Sequence, residues 1–241
     1  MGVVLTVTKR ELSAYLRTPM GFVIAVAVLA VDGLLFNGFA LRAGKRLSTE
    51  VLKDFFYFSS GTTMIASILL SMRLFAEEVQ TGTRVLLRTA PVTDTQAVLG
   101  KYLAAWIFLA AVTLLTLPMP LQVMIHGKVS AGHLLAGYSG LLLVGAATLA
   151  IGTFGSALAS NQVVAAITST AVLVVLLVCW LVAKVVEPPI SDVLAHLAFY
   201  DKHFVGFMQG VLHARDVVYY LSIAYLFLLL SSWVLKARRW A

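Results

Sequence analysis

Long apolar stretches alternate with short polar ones along the whole chain, and this alternation predicts the secondary structure. Six of the apolar stretches are close to the roughly 20 residues that a helix needs to cross a bilayer core of about 30 Å. They lie at about Met20–Leu41, Phe55–Ala76, Tyr102–Ile125, Leu134–Leu158, Val163–Ala183 and Val217–Leu235. We therefore predict an all-α integral membrane protein with six transmembrane helices, numbered spans 1 to 6.

The composition supports a membrane protein rather than a soluble domain. Of the 241 residues, 60% are hydrophobic and 12% are charged, whereas soluble domains carry about 25% charged residues. The net charge of +7 does not indicate nucleic-acid binding, because the Lys and Arg residues stand at span ends and in loops. Basic residues at those places anchor helices and set their orientation.

An even number of spans places both termini on the same side of the membrane. Ten Lys and Arg residues fall on that side and eight on the other. The positive-inside rule therefore predicts cytoplasmic N and C termini. The cluster of Arg42, Lys45 and Arg46 on the opposite side argues against this orientation.

Residues 1–18 form a separate unit that precedes the six-span domain of residues 19–241. Apolar residues recur there at helical spacing, opposite a face that carries the charges of the segment. The apolar positions are Val4, Leu5, Leu12, Tyr15 and Leu16. This pattern predicts an amphipathic helix in the plane of the membrane interface; the alternative is an ordinary basic tail.

The polar segment 72–101 between spans 2 and 3 contains signals for helix ends at set places. Gly82 predicts the end of the extension of span 2, and Thr83–Thr89 has the spacing of a short basic amphipathic helix. Pro91 ends that helix, and Thr93 or Asp94 caps the next one. A short helix held between two span extensions would act as a lever on both; the alternative is a plain cytoplasmic loop.

The segment 184–216 between spans 5 and 6 predicts short helices that dip into the outer leaflet. It opens with Pro188-Pro189, which are expected to end the helix of span 5. The rest is too interrupted to span the membrane, yet too apolar to lie free in water. The histidines all fall on the predicted outer side, at His126, His133, His196, His203 and His213. A metal site or a proton-responsive site is one interpretation, and unrelated interfacial histidines are the other.

Three features inside the spans stand out. Asp32 is an acid at membrane depth, which indicates either a functional site or a packing role. Pro118 and Pro120 predict a kink near the outer end of span 3. The spacing of Gly152, Ser156 and Ser160 in span 4 is typical of close helix packing.

No nucleotide-binding or catalytic motif is present in the sequence. The run from Gly38 to Gly44-Lys45-Arg46 has five residues between its glycines where a phosphate-binding loop needs four, and it lacks the hydroxyl for magnesium. Adjacent helical residues such as Glu77 and Glu78 point about 100° apart and do not form an acid pair. We therefore expect a non-catalytic chain that holds no cofactor itself.

Three runs in and after the polar segment form a recognisable set: Met72-Arg-Leu-Phe-Ala-Glu-Glu-x-x-Thr-Gly-Thr83, Leu86-Leu-x-Thr-Ala-Pro-Val92 and Val98-Leu-Gly-Lys-Tyr102. Together they resemble the signature of ABC type-2 permeases, in particular the gliding-motility-associated branch and its cousin, the nitrous-oxide-maturation permease. The likeness continues to about Trp240. Arg84 departs from it, because the family usually carries an acid there, and so does Gly132-His133, where an Asp-Trp pair is common.

The resemblance implies one half of a dimeric domain in the bacterial inner membrane, whose second half is the same chain or a homologue. A separate cytoplasmic ATPase would bind ATP and Mg, a coupling helix between spans 2 and 3 would dock on it, and re-entrant helices would lie between spans 5 and 6. The residues that would carry coupling are Glu77, Glu78, Gly82, Thr83, Leu86, Pro91 and Lys101.

The implied function is that of a permease subunit in an ATP-driven exporter. The alternative is a mechanical or scaffolding subunit that acts on an outer partner protein, as in gliding-type machinery, without a transported substrate. Substrate-stimulated ATP hydrolysis by the complex in liposomes separates the two.

Overall fold

A computed structural model describes residues 2–41, 47–83, 92–127 and 129–240. Within these ranges the chain forms helices and turns and no strand. The helices are α1 Gly2–Arg17, α2 Pro19–Leu35, α3 Ser48–Ser71, α4 Ala76–Gln80, α5 Asp94–Leu115, α6 Pro118–His126, α7 Ala131–Leu158, α8 Gln162–Ala183, α9 Ile190–Leu197, α10 Val205–Met208 and α11 Ala214–Trp240. A π-helical stretch, Phe36–Leu41, continues α2.

Six helical stretches of the described residues are long and apolar enough to cross a membrane, which confirms the predicted number of spans. They are Pro19–Gly38, Ser48–Gln80, Asp94–Ile125, Ala131–Leu158, Gln162–Ala183 and Ala214–Arg238. Several helices begin before the apolar run does. A helix satisfies its own backbone hydrogen bonds, so it continues through polar residues beyond the lipid.

The start of span 3 shows this extension most clearly. Its helix begins at Asp94 rather than near Tyr102. The Thr93 hydroxyl accepts a hydrogen bond from the Gln96 amide, and the Gln96 side chain accepts one from the Thr93 amide. This reciprocal capping box satisfies two amide groups at the helix start, and it decides between the two predicted caps in favour of Thr93.

The predicted kink in span 3 is present. Helix α5 ends at Leu115 and α6 begins at Pro118, because a proline has no amide hydrogen to donate and its ring clashes with the preceding turn. Helix α8 ends at Ala183, the predicted end of span 5, and so it stops before Pro188-Pro189, which were expected to end it.

Helix α7 lies at the centre of the molecule and packs against α3, α5, α8 and α11. Glycines on it let neighbouring side chains approach the backbone: Gly137 faces Phe56, and Gly152 faces Ser71. Ser156, four residues after Gly152, is also buried, whereas Ser160 is exposed. The predicted small-residue ladder therefore covers Gly152 and Ser156 only.

The segment between spans 5 and 6 contains two short helices, α9 and α10. A buried aromatic cluster formed by Phe199, Phe204 and Phe207 against Tyr220 of α11 anchors it to the bundle. On α9, by contrast, Ile190, Val193 and Leu197 are exposed. Two short helices therefore lie between spans 5 and 6; their predicted position in the outer leaflet stays a prediction.

Candidate functional site

The buried ammonium group of Lys101, in the second turn of α5, joins three other parts of the chain. Only 3% of the Lys101 side chain is exposed. Its Nζ donates to the carbonyl oxygen of Leu74 at 2.8 Å and to Glu78 Oε1 at 2.7 Å. Glu11 Oε1 of α1 lies 3.5 Å away. An ammonium has three hydrogens to donate, and here it has one partner for each of them.

A second ion pair lies beside this group. Arg73 Nε is 3.1 Å from Glu77 Oε2, one helical turn further along the chain. The Arg73 guanidinium stands over the ring of Tyr15, 5.2 Å from its centroid. The Tyr15 hydroxyl donates to the carbonyl oxygen of Leu70 at 3.1 Å, and burial raises the pKa of Tyr15 well above 10, with the Arg73 charge opposing that rise.

These side chains surround one open cavity of about 330 Å³. Its walls come from α1, from the turn after α3, from α4 and from α5. The lining residues are Glu11, Tyr15, Arg73, Leu74, Glu77, Glu78, Thr81, Thr83 and Lys101. Three carboxylates therefore share the cavity wall with two cations.

Glu11 is held as a carboxylate by its neighbours. Burial alone would raise the pKa of Glu11, but the charges of Lys101 and Arg10 and their hydrogen bonds outweigh it, so the pKa is lowered from its ordinary value of 4.5. Arg10 Nη2 lies 2.7 Å from Glu11 Oε1. The acid can therefore pair with Lys101 at neutral pH.

Helix α1 sits directly on α5 at Gly100. A Cβ atom on Gly100 would lie 2.7 Å from Val7 Cγ1 and 3.3 Å from the carbonyl oxygen of Val4. The Thr8 hydroxyl is 3.1 Å from the carbonyl oxygen of Gly100. The missing side chain thus allows α1 to approach closely, and Lys101 then pairs with Glu11.

The exposure pattern of α1 differs from the predicted apolar stripe. Tyr15 is buried against the protein and Leu12 partly so, but more than half of the surface of Leu5 and of Leu16 is exposed. One face of α1 therefore packs on the bundle, and the two leucines point away from it.

Ser156 of α7 fixes the start of α4. Its hydroxyl accepts hydrogen bonds from the amides of Phe75 and Ala76 at 3.0 and 3.1 Å, and donates to the carbonyl oxygen of Met72 at 3.0 Å. The first amides of a helix have no partner within it. Here a side chain from another helix supplies that partner, which explains where the break between α3 and α4 falls.

Gly82 ends α4 as predicted. Its φ of +71° lies in the left-handed region that favours glycine after a helix C-terminus. The hydroxyls of Thr81 and Thr83 are 2.9 Å apart across it. Leu86, Pro91, Arg84 and the predicted helix after Thr83 lie outside the described residues.

The structure brings four of the predicted site residues to one cavity: Glu77, Glu78, Thr83 and Lys101. Asp32 lies apart from them. It is buried with 3% of its surface exposed and accepts a hydrogen bond from the Thr62 hydroxyl at 2.7 Å. That contact links spans 1 and 2 and suits the packing interpretation.

Sequence reasoning missed Glu11 and Tyr15 as members of this site. A signal for Glu11 was present, because it is the only acid among residues 1–18. A lone acid in a basic helix is a candidate partner for a cation elsewhere in the fold.

Three of the histidines, His133, His196 and His203, make polar contacts within the described part of the chain. His133 Nε2 lies 2.8 Å from the carbonyl oxygen of Met208, and His203 Nδ1 lies 2.7 Å from Asp216 Oδ1 with both side chains buried. His196 Nε2 is 3.0 Å from Lys202 Nζ. Among the described residues, no group of three or more His, Cys, Asp or Glu could hold a metal ion.

The described residues form a six-span helical membrane protein in which buried charges join α1 to spans 2 and 3. A family model described as ABC-2 type transporter matches residues 3–179, well over half of the chain. The chain therefore belongs to the ABC-2 type transporter family and is a transmembrane permease component of an ABC transporter.

Members of this family are generally non-catalytic membrane components that work with a cytoplasmic ABC ATPase. The match extends from α1 into span 5 and includes the whole cavity. A search of curated proteins found no match.

Proposed function

We propose that the chain is the permease subunit of an ATP-driven exporter, in which the segment 72–101 receives movement from a separate ATPase subunit. The observation that carries this proposal is the joint at Lys101. This buried side chain at the start of span 3 bonds Leu74 and Glu78, in the earlier part of the segment, and Glu11 of α1. A force on the segment therefore reaches several spans at once.

The exposed tip of the segment is the part that a partner would contact. Gln80, Thr81, Gly82 and Thr83 are exposed, and the Glu77 side chain is 41% exposed. By resemblance, Leu86 and Pro91 belong to the same contact. ATP and Mg would be bound by the ATPase and not by this chain.

The other predicted coupling residues would act inside the permease. The Glu78 side chain is 18% exposed and is directed towards Lys101. Ser156 holds the first turn of α4 against span 4. Glu78 and Lys101 therefore position the segment, and the tip transmits the push.

ATP binding would close two ATPase subunits and bias two permease halves between inward- and outward-facing states. The second half is the same chain or a homologue. The tip and both termini would face the cytoplasm of a bacterial cell and the spans would lie in its inner membrane, in keeping with the bias of basic residues.

The exposed apolar side chains on α9 favour a second candidate function. Ile190, Val193 and Leu197 lie about one turn apart on one face and are exposed. If α9 faces an outer protein rather than lipid, the chain is a mechanical or scaffolding subunit that moves that protein and carries no substrate.

The central test is co-purification with the ATPase encoded next to this chain. Deletion of Gly82-Thr83 should abolish ATPase binding or its stimulation by the permease, because the tip is lost. The control is Glu187→Arg, a charge change on the exposed outer segment, which should leave both unchanged. If the deletion leaves binding and turnover unchanged, the coupling assignment is wrong.

The two candidate functions are separated by what stimulates the intact complex in proteoliposomes. Lipid fractions and water-soluble small molecules from the source cells are added in turn, and ATP hydrolysis is measured. Stimulation by one of them indicates an exported substrate. Stimulation by outer-face proteins alone indicates the scaffolding function.

A further inference from the structure

Helix α1 is attached to the bundle by the face opposite its exposed leucines, Leu5 and Leu16. Its inner face contacts α5 at Gly100, and Glu11 reaches the Lys101 ammonium. The same ammonium bonds the carboxylate of Glu78 and the carbonyl oxygen of Leu74. One side chain therefore stands between α1 and the segment.

Helix α1 also continues almost directly into span 1. It ends at Arg17 and α2 begins at Pro19, so that Thr18 alone separates them. The ring of Tyr15 stacks on Phe108 of span 3 at 5.3 Å between centroids. Because only Thr18 lies between α1 and α2, a movement of α1 would be passed to span 1.

We propose that Glu11 is a positioning residue that joins α1, and through it span 1, to the segment 72–83, so that the three move as one body. That an ATPase drives this movement rests on the proposed function. The attachment of α1 to the segment through Glu11 and Lys101 does not depend on it and can be measured in the absence of an ATPase.

The alternative is that α1 is an independent membrane anchor that merely lies beside α5. In that case the pairing of Glu11 with Lys101 is incidental, and its loss leaves the position of α1 unchanged. The close contact at Gly100 alone would then hold the helix.

The first experiment measures the distance between α1 and the segment in the purified chain. Spin labels are placed at Lys9→Cys and Gln80→Cys, both exposed positions, in a Cys179→Ser background. The labelled chain is diluted with unlabelled chain in nanodiscs, so that only distances within one chain are seen. Electron–electron double resonance then gives the distance distribution.

We expect a single narrow distribution for the parent and a clearly broadened one for Glu11→Ala. The matched control is Arg10→Ala, because Arg10 is an exposed neighbour that pairs with Glu11 but not with Lys101. It should retain the narrow distribution. An unchanged distribution in Glu11→Ala, or equal broadening in Arg10→Ala, overturns the proposal.

Lys101→Met provides a second route to the same conclusion, since it keeps most of the length of the side chain and removes its charge. It should broaden the distribution at least as much as Glu11→Ala does. A narrow distribution in this variant would show that the contact at Gly100 holds α1 without the ammonium.

The second experiment uses the complex with its ATPase and adds MgATP and orthovanadate as the probe. A label at Lys9→Cys is paired with one at Leu135→Cys, an exposed position at the other end of the bundle. The parent and Arg10→Ala should show a nucleotide-dependent shift of this distance, and Glu11→Ala should lose it. A shift that persists in Glu11→Ala contradicts transmission through α1. If the ATPase does not bind the parent chain, that result counts against the proposed function, and the first experiment still tests the role of Glu11.

Discussion

Lys101 is the residue on which the candidate site depends most. Its charge is buried, and each of its hydrogens faces an oxygen from a different part of the chain. A buried ammonium without partners is very unfavourable. The burial of the Lys101 ammonium therefore depends on the acids that pair with it, Glu11 and Glu78.

Replacement of Lys101 by methionine should lower the stability of the chain. The two acids would lose their shared cation, and the carbonyl of Leu74 its donor. The acids are 18% and 19% exposed and can be hydrated in part, so we expect a loss of about 1–3 kcal/mol. Thermal unfolding in detergent measures this loss of stability.

The control Glu77→Gln removes a more exposed ion pair and should cost about 0–1 kcal/mol. An equal loss in both variants would contradict a special role for Lys101.

The lowered pKa of Glu11 predicts how its contribution depends on pH. The folded chain has a pKa below 4.5 at this group, so the stabilisation is fully present above that value and is lost as pH falls through the folded pKa. The melting temperature should therefore fall more steeply below pH 4.5 in the parent than in Glu11→Gln. Parallel curves for the two chains would show that the pair adds nothing to stability.

At the scale of elements, α4 is a short helix whose start is fixed by a side chain of another helix. Ser156 accepts from two of its amides and donates to the preceding turn. Ser156→Ala should leave buried amides without a partner and cost about 1–3 kcal/mol. Thermal unfolding checks the loss, and faster hydrogen exchange at Phe75 and Ala76 locates it. Ser160→Ala, at an exposed position two residues after the end of the same helix, should change neither.

The packing of α3 on α7 depends on small side chains where the two helices meet. A Cβ atom on Gly152 would overlap the hydroxyl of Ser71. Gly152→Ala should therefore destabilise the chain by about 1–3 kcal/mol through overpacking. The double variant Gly152→Ala with Ser71→Gly should recover most of that loss, because the obstructing hydroxyl is removed. No recovery in the unfolding temperature would mean that the overlap is not the cause.

At the scale of the whole molecule, the proposed cytoplasmic location of both termini and of the segment 72–101 predicts which positions a membrane-impermeant reagent reaches. In a Cys179→Ser background, Gln80→Cys should be protected from a maleimide added to intact spheroplasts, and Asp192→Cys should be labelled. Both side chains are exposed or partly exposed. The opposite pattern would place the segment 72–101 outside and exclude its contact with a cytoplasmic ATPase.

Much of the architecture could be predicted from the sequence, because lipid imposes a strict requirement on helix length and polarity. The spans, the kink at Pro118 and the end of α4 at Gly82 follow from local signals. The contacts of Lys101 could not be predicted from the sequence, although Glu78 and Lys101 were both predicted as coupling residues. Its third member, Glu11, lies far away in sequence, and no local pattern specifies that α1 packs on Gly100.

The single residue between α1 and α2 makes the amino-terminal helix a short arm with its pivot at Thr18. Glu11 lies about 10 Å from that pivot at a rise of 1.5 Å per residue. A displacement of about 2 Å at Glu11, the size of ordinary helix shifts in switching proteins, would turn the arm by about 11°. If α1 and span 1 move as one body, as proposed above, the same small motion would turn span 1 by that angle.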